Sequence, residues 1–102
     1  MAKNLEISYL LDFYGEMLTK KQHDFLIYYY DDDLSLSEIA ENEGITRQGV
    51  RDQIKRAEQR LASLEEKCHY CERFLRLKEL ADDFKSGDKN AAEQIVSIIE
   101  EL

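Results

Sequence analysis

Proline is missing from this chain altogether, and glycine occurs only at Gly15, Gly44, Gly49 and Gly87. A polypeptide this poor in backbone breakers is neither collagen-like nor a Pro/Gly-rich low-complexity chain. Cysteine is limited to Cys68 and Cys71. Two thiols make no disulfide scaffold and suit a reducing compartment, so the expected location is cytoplasmic. No apolar run approaches the ~20 residues that cross a bilayer, and membrane insertion is not expected. The opening "MAKNLEISYL" contains the acid Glu6 and no cleavage-type signal, which points away from secretion. Positive charge is scarce too: 14 Lys/Arg stand against 22 Asp/Glu, a net charge of −8. What is plentiful is strongly patterned, with 43% apolar and 35% charged residues over 102 positions. That mixture predicts an all-α chain forming one domain, residues 1–102, with a real but modest core.

The distribution of charge matters more than its sum. Residues 1–45 hold three Lys/Arg and ten Asp/Glu, a balance of −7, and residues 61–102 hold six and ten, a balance of −4. Between them, residues 46–60 carry Arg47, Arg51, Lys55, Arg56 and Arg60 against Asp52 and Glu58, a balance of +3. Exposed charges beyond about 10 Å are largely screened at physiological salt, so local basicity coexists with global acidity.

Periodicity divides the chain into helices. Ile7, Leu10, Leu11, Tyr14, Met17 and Leu18 make an apolar stripe that predicts a helix over about Leu5–Leu18. "TKKQ" has capping-box form, Thr19 with Gln22 three residues on, and starts a second helix that the acids Asp31–Asp33 end. "SLSE" repeats the device with Ser35 and Glu38, opening a short helix to Asn42 that Gly44 closes in the left-handed conformation. Thr46 caps the next helix. Along it Val50, Ile54, Ala57, Leu61, Leu64, Cys68, Cys71 and Leu75 follow heptad spacing. A second seam, Tyr70, Phe74, Leu77, Ala81 and Phe84, is shifted in phase. The shift means either a bent continuous helix over 47–85 or two helices broken near Lys67–Glu72. "SGDKN" at Ser86–Asn90 is a turn, and a last helix carries Ala92, Ile95, Ile98, Ile99 and Leu102.

The segment 18–61 has the spacing of a helix-turn-helix, with 62–102 as C-terminal helices for packing or dimerisation. Ala40 is the small residue at the helix crossing, Gly44 the turn residue, and Ile39, Ile45, Val50 and Ile54 the apolar pins. The outer face of the second helix then presents Thr46, Arg47, Gln48, Arg51, Lys55 and Arg56, with Asp52 among them. In a docked motif such residues meet base edges and phosphates of DNA in the major groove. Glu43 stands where an apolar pin is common, and Gly49 is expected on the outer face.

The succession "LTKKQ", "LSLSEIA", "GITRQGV" and "IKRAEQRL" resembles region 4 of bacterial sigma factors. With "SYLLDFYGEMLTKKQ", "YYYDDDLSLSEIAE" and "TRQGVRDQIKR", the chain more closely resembles the YlxM family of small bacterial helix-turn-helix proteins, over about two-thirds of its length. The resemblance implies a DNA-binding regulatory role connected with the signal recognition particle. An alternative is an accessory protein that binds the particle or its GTPase instead of DNA.

Other constellations have simpler readings. "CHYC" could begin a metal or redox site, but zinc needs four ligands and His23 is remote in sequence; core packing is the expectation. Tyr28–Tyr30 point in three directions on a helix and are read as core and partial core, not a base-stacking platform. Asp31–Asp33 are read as a solvated acidic turn. With no phosphate loop and no nucleophile–base pairing, no enzymatic activity, metal or cofactor is expected. Finally, a +3 helix on a −8 chain is a poor DNA ligand alone, which predicts a homodimer joined mainly after about Leu61, unless the last helix folds back over the same seam.

Overall fold

The computed structural model describes residues 5–102, so the first four residues of the "MAKN" opening lie outside the described residues. Every regular element among those described is helical. The chain parts into two compact units between Cys68 and His69.

In the first unit α1 spans Leu5–Tyr14 and buries Ile7, Leu11 and Tyr14. It stops four residues short of the expected Leu18, because Gly15 to Met17 tighten into a 3-10 turn. A Cβ on Gly15 would lie 3.2 Å from the His23 ring and 3.3 Å from Leu11, so either side chain would have to give by a few tenths of an ångström. The early stop turns Met17 outward, 59% exposed, while Leu18 returns to the core. Thr19 and Gln22 then close a reciprocal capping box, both bonds 3.1 Å long. α2, Lys20–Leu26, buries Phe25 and Leu26 and widens into a π turn over Ile27–Asp31 that buries Tyr29. Tyr28 and Tyr30 are half-buried, in keeping with core and partial core.

The acidic run ends this helix as anticipated, with Asp33 at φ 55°. A second capping box joins Ser35 and Glu38 at 3.0 and 3.1 Å and opens α3, Leu36–Glu43. Gly44 closes it at φ 68°, and the Ile45 N–H donates to the Ala40 carbonyl at 3.1 Å. That is the six-to-one bond of a Schellman ending, which only a residue at ease with positive φ supports cheaply.

α4 spans Arg47–Cys68. Val50, Ile54, Ala57 and Leu61, the first half of the heptad seam, are wholly buried, covered within the unit by α1, α2 and α3. Two hydrogen bonds tie the aromatic residues to its opposite charges: the Tyr14 hydroxyl donates to Glu65 Oε1 at 2.6 Å, and Tyr30 donates to Glu58. Val50, Ile54 and Leu61, fully buried at about 1.5–3 kcal/mol each, make this helix the spine of the unit.

The seam does not continue as one helix. His69 adopts φ 55°, ψ 20°, a left-handed conformation that ends the α-helical ladder. The break falls inside the Lys67–Glu72 window, so the two-helix alternative holds.

In the second unit α5, Tyr70–Lys85, and α6, Asn90–Glu100, form a hairpin around a turn with Gly87 at φ 107°. Arg76 donates to Gln94 Oε1 at 3.2 Å across it. Its buried apolar residues are Cys71, Leu80 and Ala91, so Cys71 packs as a core residue; Cys68, at the end of α4, is half-buried. Leu80 and Ala91 belonged to no predicted stripe. The residues expected to anchor α6 are shallower: Ala92, Ile95 and Ile98 are half-buried, and Ile99 and Leu102 are exposed. Ala91, Ile95 and Ile98, spaced four and three residues apart, share one face of α6, and of the three only Ala91 is wholly buried. No helix of the described residues is long and apolar enough to cross a membrane.

Candidate nucleic-acid interface

α3 and α4 cross as a helix-turn-helix requires. Ile39 and Ala40 from α3 and Val50 and Ile54 from α4 are all buried, and none is more than 8% exposed. One pin departs from expectation: Ile45 is 38% exposed. It follows the left-handed Gly44 directly and lies over the first turn of α4, where its Cδ1 comes within 3.6 Å of a Cβ built on Gly49. Gly49 therefore sits half-buried beneath Ile45, not on the outer face. Its N–H donates to the Thr46 hydroxyl at 3.0 Å, and a Cβ would crowd that oxygen at 3.2 Å.

The six predicted contact residues are all exposed, but they do not form one patch. Thr46 is the N-cap, its oxygen already engaged. Arg47, Arg51 and Lys55 recur every four residues and form a row along one side of α4. Gln48 lies beside this row and donates to Asp52 Oδ1 at 2.9 Å, so its amide must rotate away to fork onto a base. Arg56 lies about 180° around the helix from Arg47, on the far flank. Among the described residues no ion pair holds Arg47, Arg51, Lys55 or Arg56, which leaves their charge available to an anion.

Two shallow depressions flank the N-terminal end of the row. One, about 280 Å³, is lined by Leu36, Arg47, Gln48 and Arg51. The other, about 310 Å³, sets Arg47 beside Tyr29, Asp33, Ser35, Ser37 and Glu38. Nothing in the local pattern announced the second, because it brings the segment from the π turn to the α3 cap against Arg47 of α4. Its carboxylates reduce the local field of Arg47. Together with Glu41 and Glu43 they make the first helix of the motif acidic where a DNA backbone would approach.

A further cleft, about 310 Å³, lies between Lys20, Lys21, Asp24, Phe25, Tyr28 and Glu43. Its groups largely satisfy one another. Lys20 Nζ donates to Asp24 at 3.1 Å, and that hydrogen bond raises the amine and lowers the carboxyl from their ordinary values. Burial, then the charge of Glu43, pushes the Tyr28 phenol up. Nothing here pairs a nucleophile with a base. Among the described residues no group of three or more His, Cys, Asp or Glu stands together as a metal site.

With this geometry in place, the relatives are informative. Residues 1–101 match a family described as "Putative helix-turn-helix protein, YlxM / p13 like". The UPF0122 protein YlxM of Bacillus subtilis is 42% identical over 105 residues, covering 100% of this chain and 94% of its own. A UPF0122 protein of Halalkalibacterium halodurans is 41% identical over 104 residues, covering 100% and 95%. One from Acetivibrio thermocellus is 47% identical over 92 residues, covering 86% and 79%.

Proposed function

The chain belongs to the UPF0122 family of YlxM- and p13-like helix-turn-helix proteins, and from that premise we propose that it binds duplex DNA through α4 in a regulatory role. One observation carries the reading. Arg47, Arg51 and Lys55 form an exposed row on the second helix of the crossed pair, and the Gly44 turn and the Ala40–Val50 crossing hold that row outward. Arg51, four residues into α4, is positioned for a base edge. Lys55, one turn later, is positioned for a phosphate. The acidic α3 keeps non-specific affinity low, so binding depends on the right sequence and is sensitive to salt. Because one row neutralises few phosphates, the binding species is a homodimer with two recognition helices. A DNA ligand places the protein in the cytoplasm, and the reading requires no catalytic step.

Gel retardation against a pool of random duplexes at two salt concentrations tests this. Selection should enrich a short site. Arg51→Ala should then weaken that site by about 1–3 kcal/mol. Lys55→Ala should weaken all sequences alike and flatten the salt slope by about one unit.

A second reading has support in the charge map. Outside residues 46–60 both flanks are acidic, −7 and −4, a surface suited to a basic protein or ribonucleoprotein. The family resemblance directs that reading to the signal recognition particle or its GTPase. Absence of any retarded species at low salt, together with salt-sensitive binding to the purified particle, would favour it.

A further inference from the structure

Asp52 is the only acid of α4 before Glu58, and it is exposed. At about 100° per residue, the buried Val50, Ile54, Ala57 and Leu61 lie roughly 140–200° around the helix from it. The carboxylate therefore stands on the line that faces directly away from the core. Arg47, Arg51 and Lys55 lie about 60–140° to one side of it, and Arg56 and Arg60 about 40–80° to the other. On an ordinary solvated helix an acid pairs with a cation three or four residues on. Lys55 and Arg56 have those spacings, yet among the described residues neither forms an ion pair with Asp52. Its bond is to Gln48, whose Nε2 donates to Oδ1 at 2.9 Å, and among the described residues no donor reaches Oδ2. An ionised carboxylate can only accept. Set among cations that would meet a phosphate backbone, it weakens binding unless it finds a donor of its own.

We propose that Asp52 is a specificity-determining residue of this surface, accepting a hydrogen bond from the N4 amine of a cytosine in the major groove; the proposal rests on the duplex-DNA reading of α4. The groove edges of the four bases decide the choice. Guanine offers only the acceptors N7 and O6, and thymine the acceptor O4 beside a methyl group, so neither has a donor for a carboxylate. Adenine has a donor at N6, but its N7 acceptor stands next to it and meets the second carboxylate oxygen unfavourably. Cytosine presents N4 with no acceptor beside it. The guanine paired with that cytosine carries two acceptors, which suits the cations flanking Asp52. The acid thus lowers affinity for duplex in general and restores it where a cytosine amine is in reach. Discrimination of this kind comes from a repulsive element as much as from an attractive one.

Selection by gel retardation from a random duplex pool, run in parallel on the full chain, Asp52→Ala and Asp52→Asn, tests the assignment. The unaltered chain should enrich a site with a cytosine at one position where Asp52→Ala accepts any base. Asp52→Asn should move the preference there to adenine, whose N6 and N7 an amide forks. On the enriched duplex, that cytosine is then replaced by 2-pyrimidinone, which lacks the N4 amine. Binding of the unaltered chain should weaken by about 10–100-fold, and that of Asp52→Ala by less than about twofold. Both substitutions fall at an exposed position and should keep the helical melt. If the alanine chain does not, the asparagine chain and the 2-pyrimidinone duplex decide. The same site enriched by every folded chain, or no loss by the unaltered chain on 2-pyrimidinone, overturns the proposal and leaves the DNA reading standing. No retarded duplex with any of the three chains overturns both.

Discussion

Among the described residues, thirteen of the sixteen buried apolar residues lie before His69 and three after it, whereas seven of the eleven large exposed apolar residues lie after it. The two regions have similar alphabets and the same helical periodicity. They differ in how many helices share the apolar surface. In the first unit α1, α2 and α3 all pack on α4, so its stripe is enclosed from three sides. In the hairpin, α5 has one neighbour within its unit, and a helix with an apolar stripe plus extra aromatics cannot bury them all against a single helix. Helical pattern therefore predicts which residues are able to be core, and the number of surrounding elements decides which of them are.

Four substitutions probe that contrast, beginning with the largest expected effect. Val50→Asp places an unpaired carboxylate where α3 and α4 cross, at a cost of about 3–5 kcal/mol or more. Much of the helical circular-dichroism signal should be lost at ambient temperature. A near-normal melt would mean that the crossing is not the centre of the unit. Leu80→Ala removes the hairpin's principal buried side chain. The loss should fall near 2 kcal/mol, the low end for such truncations, because a thinly packed site relaxes around the cavity. Ile54→Ala is the comparison, and in denaturant melts it should cost clearly more. Equal losses would erase the distinction between the two regions. His69→Gly acts at the boundary. Relief of the left-handed backbone gains about 1–2 kcal/mol and the added freedom of the unfolded chain loses about 0.5–1, leaving a net gain of about 0.5 kcal/mol. A lower melting temperature would show that the histidine ring, 3.2 Å from Glu72, contributes more than its backbone strain removes.

Much of the first unit was legible because its signals are local. The boxes Thr19–Gln22 and Ser35–Glu38, the glycine stop at Gly44 and the seam from Val50 to Leu61 each need only a few adjacent residues to be read. The candidate interface was legible to the same extent: every predicted contact residue is at the surface, since positions off an apolar stripe face water. Its division into an Arg47–Arg51–Lys55 row, a Gln48 turned to Asp52 and an Arg56 on the far flank needed the helix itself. So did the acidic surroundings of Arg47, where Asp33 and Glu38 come from the preceding turn and helix.

By itself the sequence determined the all-α class and the helix-turn-helix spacing, because caps, turns and periodicity are properties of neighbouring residues; the family was legible only through the resemblance of its motifs. Tertiary structure decided where the long periodic run breaks, since the left-handed residue is a histidine and not a glycine, and positive φ is uncommon even for the non-glycine types that adopt it most often. It decided that α1 ends at Tyr14, before a 3-10 turn in which a Cβ on Gly15 would crowd the His23 ring. It also decided that Leu80 and Ala91 are core while Phe74 and Phe84 are not. Burial depends on which surface another helix reaches first, and a one-dimensional pattern does not contain that contact.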